Sequence, residues 1–221
     1  MFVSRGGKMK IERVTVGMLQ EQTYFAIDEK TKQAFIIDPG ADEYALIHKI
    51  DTDGLKVEKI LLTHGHFDHI GAAAAIKAHT NCEIVIHEEG KRYLEDPRYN
   101  LSTAFGDGAM TLQADQYVKD GDVVQVEGTD LKFEVIHAPG HTLDGVAYYN
   151  DAHKAAFVGD IIFKGSIGRT DFIGGDMATL IRSIRAGIFT LEREVTLYPG
   201  HGDPTTVGFE VLNNPYFNMF E

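Results

Sequence analysis

Four times along this chain an apolar, strand-like run ends in a tight turn that carries residues able to bind a metal. Lys59-Ile60-Leu61-Leu62 leads into Thr63-His64-Gly65-His66-Phe67-Asp68-His69. Val135-Ile136 leads into Pro139-Gly140-His141, Ala156-Phe157-Val158 into Gly159-Asp160, and Val195-Thr196-Leu197-Tyr198 into Pro199-Gly200-His201. In layered α/β proteins, ligands and active sites collect where strands end. Imidazole and carboxylate are the usual nitrogen and oxygen ligands of zinc and its first-row neighbours. On a turn leaving a strand, His64 and His66 can converge on one ion while Asp68 and His69 face a second. The chain must therefore fold so that distant strand ends meet, and the spacing predicts one metal site assembled from them. A polar surface turn would explain a single histidine but not this density.

The remaining patterns agree with a layered α/β chain. Arg13-Val14-Thr15-Val16, Tyr24-Phe25-Ala26-Ile27 and Ala34-Phe35-Ile36-Ile37 read as strands, the last ending in the turn Asp38-Pro39-Gly40. Tyr44, Ile47 and Ile50 lie three apart, which predicts a helix ending near Gly54. Gly71-Ala72-Ala73-Ala74-Ala75-Ile76 is strongly helix-forming, and its small side chains allow close packing on a sheet. Asp176 can cap a helix whose apolar face is Met177, Leu180, Ile181, Ile184 and Ile188. No linker or low-complexity segment interrupts residues 1–221, which are expected to form a single domain. Residues 96–116 differ: Pro97, Asn100, Ser102, Gly106 and Gly108 punctuate them and apolar periodicity is weak. A loop this long in a compact domain is usually functional. It is expected to overhang the metal site and help select the substrate, unless it is an ordinary surface excursion.

Composition disfavours some partners. Lysine and arginine number 21 against 33 acidic residues, a formal net charge of −12. Such a surface repels nucleic acid and anionic lipid, because phosphate binding needs clustered cations. Cys82 is the one cysteine, so no intrachain disulfide forms. It opens the apolar run Glu83-Ile84-Val85-Ile86, where burial as a small hydrophobe is expected. Met1 to Lys10 lacks the apolar stretch of a secretory signal, and no run approaches the ~18 apolar residues of a membrane span. A cytoplasmic location is expected, without nucleic-acid or membrane partners. The aromatic ending Tyr216-Phe217-Asn218-Met219-Phe220 is expected to pack on its own domain, with a neighbouring chain as the alternative; oligomeric state is not legible.

The H-x-H-x-D-H run, the PGH histidine, the GD aspartate and the final PGH histidine resemble the metal signature of the metallo-β-lactamase superfamily. Gly165-Ser166-Ile167-Gly168-Arg169-Thr170-Asp171, and the ending from Tyr198-Pro199-Gly200-His201-Gly202 to Asn214-Pro215, resemble the short bacterial members of its glyoxalase II-like branch. The similarity runs from about Met9 onward. It implies an αββα four-layer sandwich of the metallo-β-lactamase type. It also implies a ligand set: His64, His66 and His141 for a first metal, Asp68, His69 and His201 for a second, and Asp160 bridging both. The cofactors expected are two divalent ions, zinc first, with iron and manganese accepting the same donors.

The activity implied is cleavage of a small-molecule thioester, possibly a glutathione thioester such as S-lactoylglutathione, by a metal-bridging hydroxide. Asp68 would be a catalytic residue that passes a proton toward the leaving thiolate. Arg169, where glyoxalase II enzymes carry a lysine that contacts glutathione, is the expected substrate-binding residue. A salt bridge to Asp171 is the competing role for that arginine, and Lys164 is a further candidate. Thr63 and Thr142 either fix ligand orientation or serve only as turn residues. Full-length glyoxalase II adds a helical domain whose basic residues grip glutathione, whereas the 20 residues after His201 contain no lysine or arginine. The alternative activity is that of a mononuclear iron persulfide dioxygenase, with the triad His64, His141 and Asp160. A β-lactam hydrolase and a non-catalytic scaffold are disfavoured. His48, His79, His87, His137 and His153 lie outside the motif, with His137 a candidate support for His141.

Overall fold

The computed structural model describes residues 8–218. Six strands form a first sheet in the order β1 (Met9–Val16), β2 (Glu21–Asp28), β3 (Gln33–Ile37), β4 (Lys56–Leu61), β5 (Glu83–His87) and β6 (Gln116–Val118). The first three are antiparallel and the last four run parallel. Along the second half of the chain come β7 (Val123–Gln125), β8 (Lys132–His137), β9 (Val146–Asn150) and β10 (Ala155–Gly159). The two-stranded ribbon β11 (Ile162–Phe163) and β12 (Ser166–Ile167) follows, then β13 (Thr196–Pro199) and β14 (Thr205–Thr206). The second sheet has the order β14-β13-β10-β9-β8-β7.

The period of two in each strand creates the layers. All eight residues of β2 are buried. Tyr24 and Ala26 of β2, with Phe35 and Leu61, meet Phe133, Tyr148 and Phe157 of the other sheet in one core. Phe25 and Ile27 point the opposite way, into a core with Leu46 and Ile50 of α1 (Glu43–Asp53). A third core joins Ala156 and Val158 to Leu180 and Ile184 of α6 (Met177–Ala186). Each such Val, Leu, Ile or Phe side chain contributes about 1.5–3 kcal/mol when fully buried. The result is helix, sheet, sheet, helix, the αββα sandwich expected.

Two helix faces differ from expectation. Tyr44 is 83% exposed, and the buried stripe of α1 is Leu46 and Ile50. Met177 is likewise exposed, and Ile188 is buried from a short 3-10 turn beyond α6. Tyr44 and Met177 both stand in the first turn of their helices, ahead of the residues that touch the sheet. The predicted ends hold: Gly54 closes α1 at φ 63, and Asp176 Oδ1 accepts from the Thr179 N–H at 2.7 Å.

The metal motif forms α2 (Phe67–Ile70), and the alanine run forms α3 (Ala73–Thr80), with Ala72, Ala73 and Ile76 buried. After α4 (Gly90–Glu95), residues 96–116 contain the helical turn α5 (Ser102–Phe105) rather than bare loop. Met110, Leu112 and Ala114 then pack on the first core with the alternation of an extended segment. Cys82 is buried as expected. In the C-terminal segment, α7 (Val207–Asn213) precedes α8 (Pro215–Asn218), and Phe217 packs on Phe189 with ring centroids 4.6 Å apart. Met219 and Phe220 lie outside the described residues, as do Met1 to Gly7 of the expected leader-free start. Among the described residues no helix is long and apolar enough to cross a membrane.

The two sheets are stitched together at one end. Gln22 N–H donates to Gly200 O at 2.8 Å and Tyr24 Oη to Pro199 O at 2.7 Å. Val146 N–H donates to Thr63 O at 2.9 Å and Tyr148 Oη to Leu62 O at 3.0 Å. These links hold the exits of β4 and β13 against the opposite sheet, which is where the ligands lie.

Candidate metal centre

All seven predicted ligands converge. His64 Nε2 and His141 Nε2 each lie 3.1 Å from His66 Nδ1. One proton on His66 cannot bridge two imidazole nitrogens at once, whereas three nitrogens around one ion do approach each other this closely. With Zn–N bonds of about 2.0–2.1 Å, tetrahedral ligands stand about 3.3 Å apart. Asp68, His69 and His201 form a second group, with His201 Nε2 3.3 Å from Asp68 Oδ2. Asp160 lies between the groups. Its Oδ1 is 3.5 Å from His69 Nε2, and its Oδ2 is 3.7 Å from both His141 Nε2 and His201 Nε2.

Buried His69 Nε2 and Asp160 Oδ1 have no hydrogen-bond partner within the protein. Buried polar atoms are ordinarily paired, so two orphans facing one another fit an ion between them. The electrostatics agree. Burial, with the neighbouring imidazoles, holds His64 and His66 well below the usual imidazole range. Burial also lowers His141 although Asp160 opposes it. These three imidazoles are therefore neutral at neutral pH, the form that can bind a metal. Burial opposes charge on His69 too, but Asp160, Asp68 and Asp38 outweigh it and push that imidazole well above its ordinary value. Carboxylates so crowded around one imidazole leave an excess of negative charge that a cation would balance. The donor set fits divalent ions.

Close backbone contact places the second group. A Cβ on Gly40 would sit 1.6 Å from Asp68 O, and one on Gly71 2.2 Å from Gly40 O. Only glycines let the Asp38-Pro39-Gly40 turn press on α2 and set Asp68 and His69. From that turn Asp38 Oδ2 accepts from His69 Nδ1 at 3.0 Å and from Thr63 Oγ1 at 2.6 Å. Of its two expected roles Thr63 takes the supporting one, since it bonds Asp38 and lies 3.1 Å from His64 Nδ1. Thr142 does not orient a ligand. Its hydroxyl is buried beside Asp144 without a well-formed hydrogen bond, and its carbonyl accepts from Gly140 N–H at 2.9 Å in the turn.

Arg169 contributes its main chain to the centre. Its carbonyl oxygen meets His141 Nδ1 at 2.7 Å, which leaves Nε2 of that imidazole facing His66. The guanidinium is paired instead with Asp171, Nε to Oδ1 at 3.0 Å and Nη2 to Oδ2 at 2.8 Å. His137 does not reach a ligand. It bonds Leu143 O at 2.9 Å and stacks on His87, whose pKa is pushed down to about 4 by burial and by His137. Residues 96–116 reach the neighbourhood of the centre in two places: Asn100 O accepts from Phe67 N–H at 2.9 Å, and Phe105 meets Phe172, whose ring stands edge-on to His66 at 5.9 Å.

Residue-level reading misses Asp38, Glu21 and Asp144. Glu21 is buried behind His69, 4.0 Å from its Nδ1. Asp144 is fully buried, and burial pushes its carboxyl up to about 7. Thr142 and the Gly65 N–H lie near enough to favour its charge, but neither oxygen has a well-formed hydrogen bond, so burial dominates. Asp38 carries a signal, a carboxylate at a strand exit before Pro-Gly; the other two carry none.

Known proteins resemble this chain over most of its length. GloC, a hydroxyacylglutathione hydrolase of Haemophilus influenzae, is 37% identical over 212 residues, 95% of this chain and 99% of that protein. The crystal structure of the BLEG-1 B3 metallo-beta-lactamase superposes with a TM-score of 0.89 at 34% identity, covering 95% of this chain and 100% of that one. TTHA1623, solved in a di-iron-bound form, gives a TM-score of 0.81 at 33% identity, covering 93% and 99%. The description of the metallo-beta-lactamase superfamily matches residues 17–201, from the hairpin turn beside His201 to His201 itself. That span takes in every predicted ligand, and the chain belongs to the metallo-beta-lactamase superfamily, in its glyoxalase II-like branch, as a metal-dependent hydrolase.

Proposed function

We propose that this chain, acting as one domain in the cytoplasm, hydrolyses a small-molecule thioester of the hydroxyacylglutathione kind at a two-metal centre, with zinc as the first candidate metal. The observation that carries the reading is Asp160, one carboxylate whose oxygens face His69 on one side and both His141 and His201 on the other. The likeness to the Haemophilus influenzae hydroxyacylglutathione hydrolase supports the thioester.

His64, His66 and His141 would hold one ion, and Asp68, His69 and His201 the other, with Asp160 shared. Bound there, such ions supply an acidified water at neutral pH and an electrophile for a carbonyl oxygen. The chain's own groups do the rest. Arg169 O holds the His141 ring through Nδ1, and Asp38 holds His69 in the same way. Burial opposes the charge of Asp68, but His69 and His201 outweigh it and keep the carboxylate ionised. Asp68, facing the same space, would accept the proton that the added water gives up and pass it to the departing thiolate. Arg169 and the aromatic rings beside it form the rim that would receive the substrate.

The test is metal content together with activity on S-lactoylglutathione and on glutathione persulfide. Two divalent ions per chain with thioester cleavage and no oxygen uptake is the expected result. One iron per chain with oxygen consumption on the persulfide would instead assign the dioxygenase chemistry to His64, His141 and Asp160.

A further inference from the structure

One hydroxyl behind the first three histidines joins segments that are far apart in the chain. Tyr93, fully buried in α4, accepts from Leu143 N–H at 3.0 Å and donates to Ile173 O at 3.3 Å. Its single proton serves the loop that carries Arg169 and Phe172, and a lone pair serves the turn that follows His141. Both neighbours come close enough to require glycine. A Cβ on Gly174 would sit 2.3 Å from Tyr93 Oη, and one on Gly65, between His64 and His66, 2.5 Å from Tyr93 Cβ. The Tyr93 ring stands edge-on to His66 at 6.0 Å. The loop is pinned at its other end as well, where Arg169 O meets His141 Nδ1 at 2.7 Å. Between the two pins lies Phe172, edge-on to His66 at 5.9 Å. The second group of ligands is held elsewhere, His69 by Asp38 and His201 by Leu19 O.

Resting on the two-metal thioester reading, we propose that Tyr93 is a positioning residue that couples the substrate rim to the first ion. Through Gly65 and Leu143 its side chain sets the turns that carry His64, His66 and His141. Through Ile173 it sets the loop of Arg169 and Phe172. Removing the hydroxyl frees the Ile173 end of that loop, and the other end is the carbonyl that orients His141. Slack in the loop therefore reaches the ion and the substrate together.

The experiment is Tyr93→Phe, which keeps the ring against Gly65 and His66 and removes only the hydroxyl. Stepwise competition with a chromophoric chelator, on zinc-loaded protein, should show one ion weakened about tenfold and the other within about twofold. Combined with Asp38→Asn, whose partner His69 belongs to the other group, it should weaken both ions. With both ions saturating, KM for S-lactoylglutathione should rise about fivefold while kcat stays within about twofold. Tyr99→Phe, which takes a hydroxyl from the ring packed edge-on to Tyr93, should match wild type in both readouts. Unchanged ion affinities or an unchanged KM overturn the proposal whatever the Tm does, because a packing role alone would move only Tm. Equal weakening of both ions by Tyr93→Phe, or loss confined to one ion in the double variant, overturns it as well. Failure of the wild type to cleave the thioester with two ions bound overturns the thioester reading and the rim half of the proposal, and the chelator titration still decides the tie to the first ion.

Discussion

Asp38 and His69 meet as a fully buried carboxylate–imidazole pair, Oδ2 to Nδ1 at 3.0 Å, with Thr63 donating to both oxygens of the carboxylate. The Thr63 N–H and hydroxyl fix the aspartate, and the aspartate commits the Nδ1 proton, so Nε2 faces Asp160. Residues that orient a metal-bound imidazole in this way are worth about 10–100-fold in metal affinity. Asp38→Asn should therefore weaken the ion facing His69 by that factor, and the other ion, which it reaches only through Thr63 and His64, by less. Stepwise competition with a chromophoric chelator reads this directly. Two ions leaving with unchanged affinities would reduce Asp38 to a turn residue.

The ligands are legible because strand exit, glycine turn and donor fall within a few residues of each other, so local pattern and function coincide. Asp38 has the same local signature after Phe35-Ile36-Ile37. A carboxylate before Pro-Gly reads equally well as a turn former, and only a contact 31 residues away separates the roles. Glu21 and Asp144 are illegible for another reason. Their burial comes from the docking of one sheet and its loops on the other, which no spacing encodes. The sandwich itself follows from alternation in the strands. The inward faces of α1 and α6 are readable in their middles, at Leu46, Ile50, Leu180 and Ile184, and fail at Tyr44 and Met177. The alternation of Met110, Leu112 and Ala114 is present but short, and glycines and prolines upstream mask it.

Removing metal should destabilise the fold. The imidazoles and carboxylates come from both sheets, so ions bind the folded chain and not the unfolded one. A ligand at 100 times its Kd stabilises by about 2.7 kcal/mol per site. For a chain of this size about 1 kcal/mol moves Tm by 2–4 °C. Treatment with a strong chelator should lower Tm by about 5–10 °C or more, and restored zinc should reverse it. A Tm that does not respond would mean that the ions contribute nothing to holding the sheets together.

Asp144 makes a pH-dependent contribution of definite sign. Its folded pKa is about 7 against an ordinary 3.8, because burial penalises the charge, with Asp38 adding to the rise and Tyr93 packed nearby. The folded state thus holds this proton more tightly than the unfolded state does. Its contribution is fully present below about pH 3.8 and is lost as pH rises through about 7. Between pH 5 and 8 the loss is about 2–3 kcal/mol. Asp144→Asn has no charge to bury, so its Tm relative to wild type should rise across that interval, with chelator present in both samples. A constant difference from pH 5 to 8 would show that the carboxylate is relieved by a partner in solution.

Residues 96–116 hang on Asn100. Its amide donates to Tyr93 O at 3.0 Å and Met110 O at 2.9 Å, and its Oδ1 accepts from Ser102 N–H at 3.0 Å. Its own carbonyl accepts from Phe67 N–H at 2.9 Å, which ties the segment to the first turn of α2, inside the metal motif. Asn100→Ala strands three backbone groups, two of them buried, and each buried one costs about 1–3 kcal/mol when unsatisfied. The expected result is a loss of stability of at least about 2 kcal/mol and faster amide exchange confined to this segment. Because Phe105 rides on the same segment, KM for the thioester should rise while kcat changes little. If exchange stays slow, the packing of Met110, Leu112 and Ala114 on the core holds the segment without the amide. In that case the Asn100 carbonyl, which no side-chain substitution removes, is its remaining tie to α2.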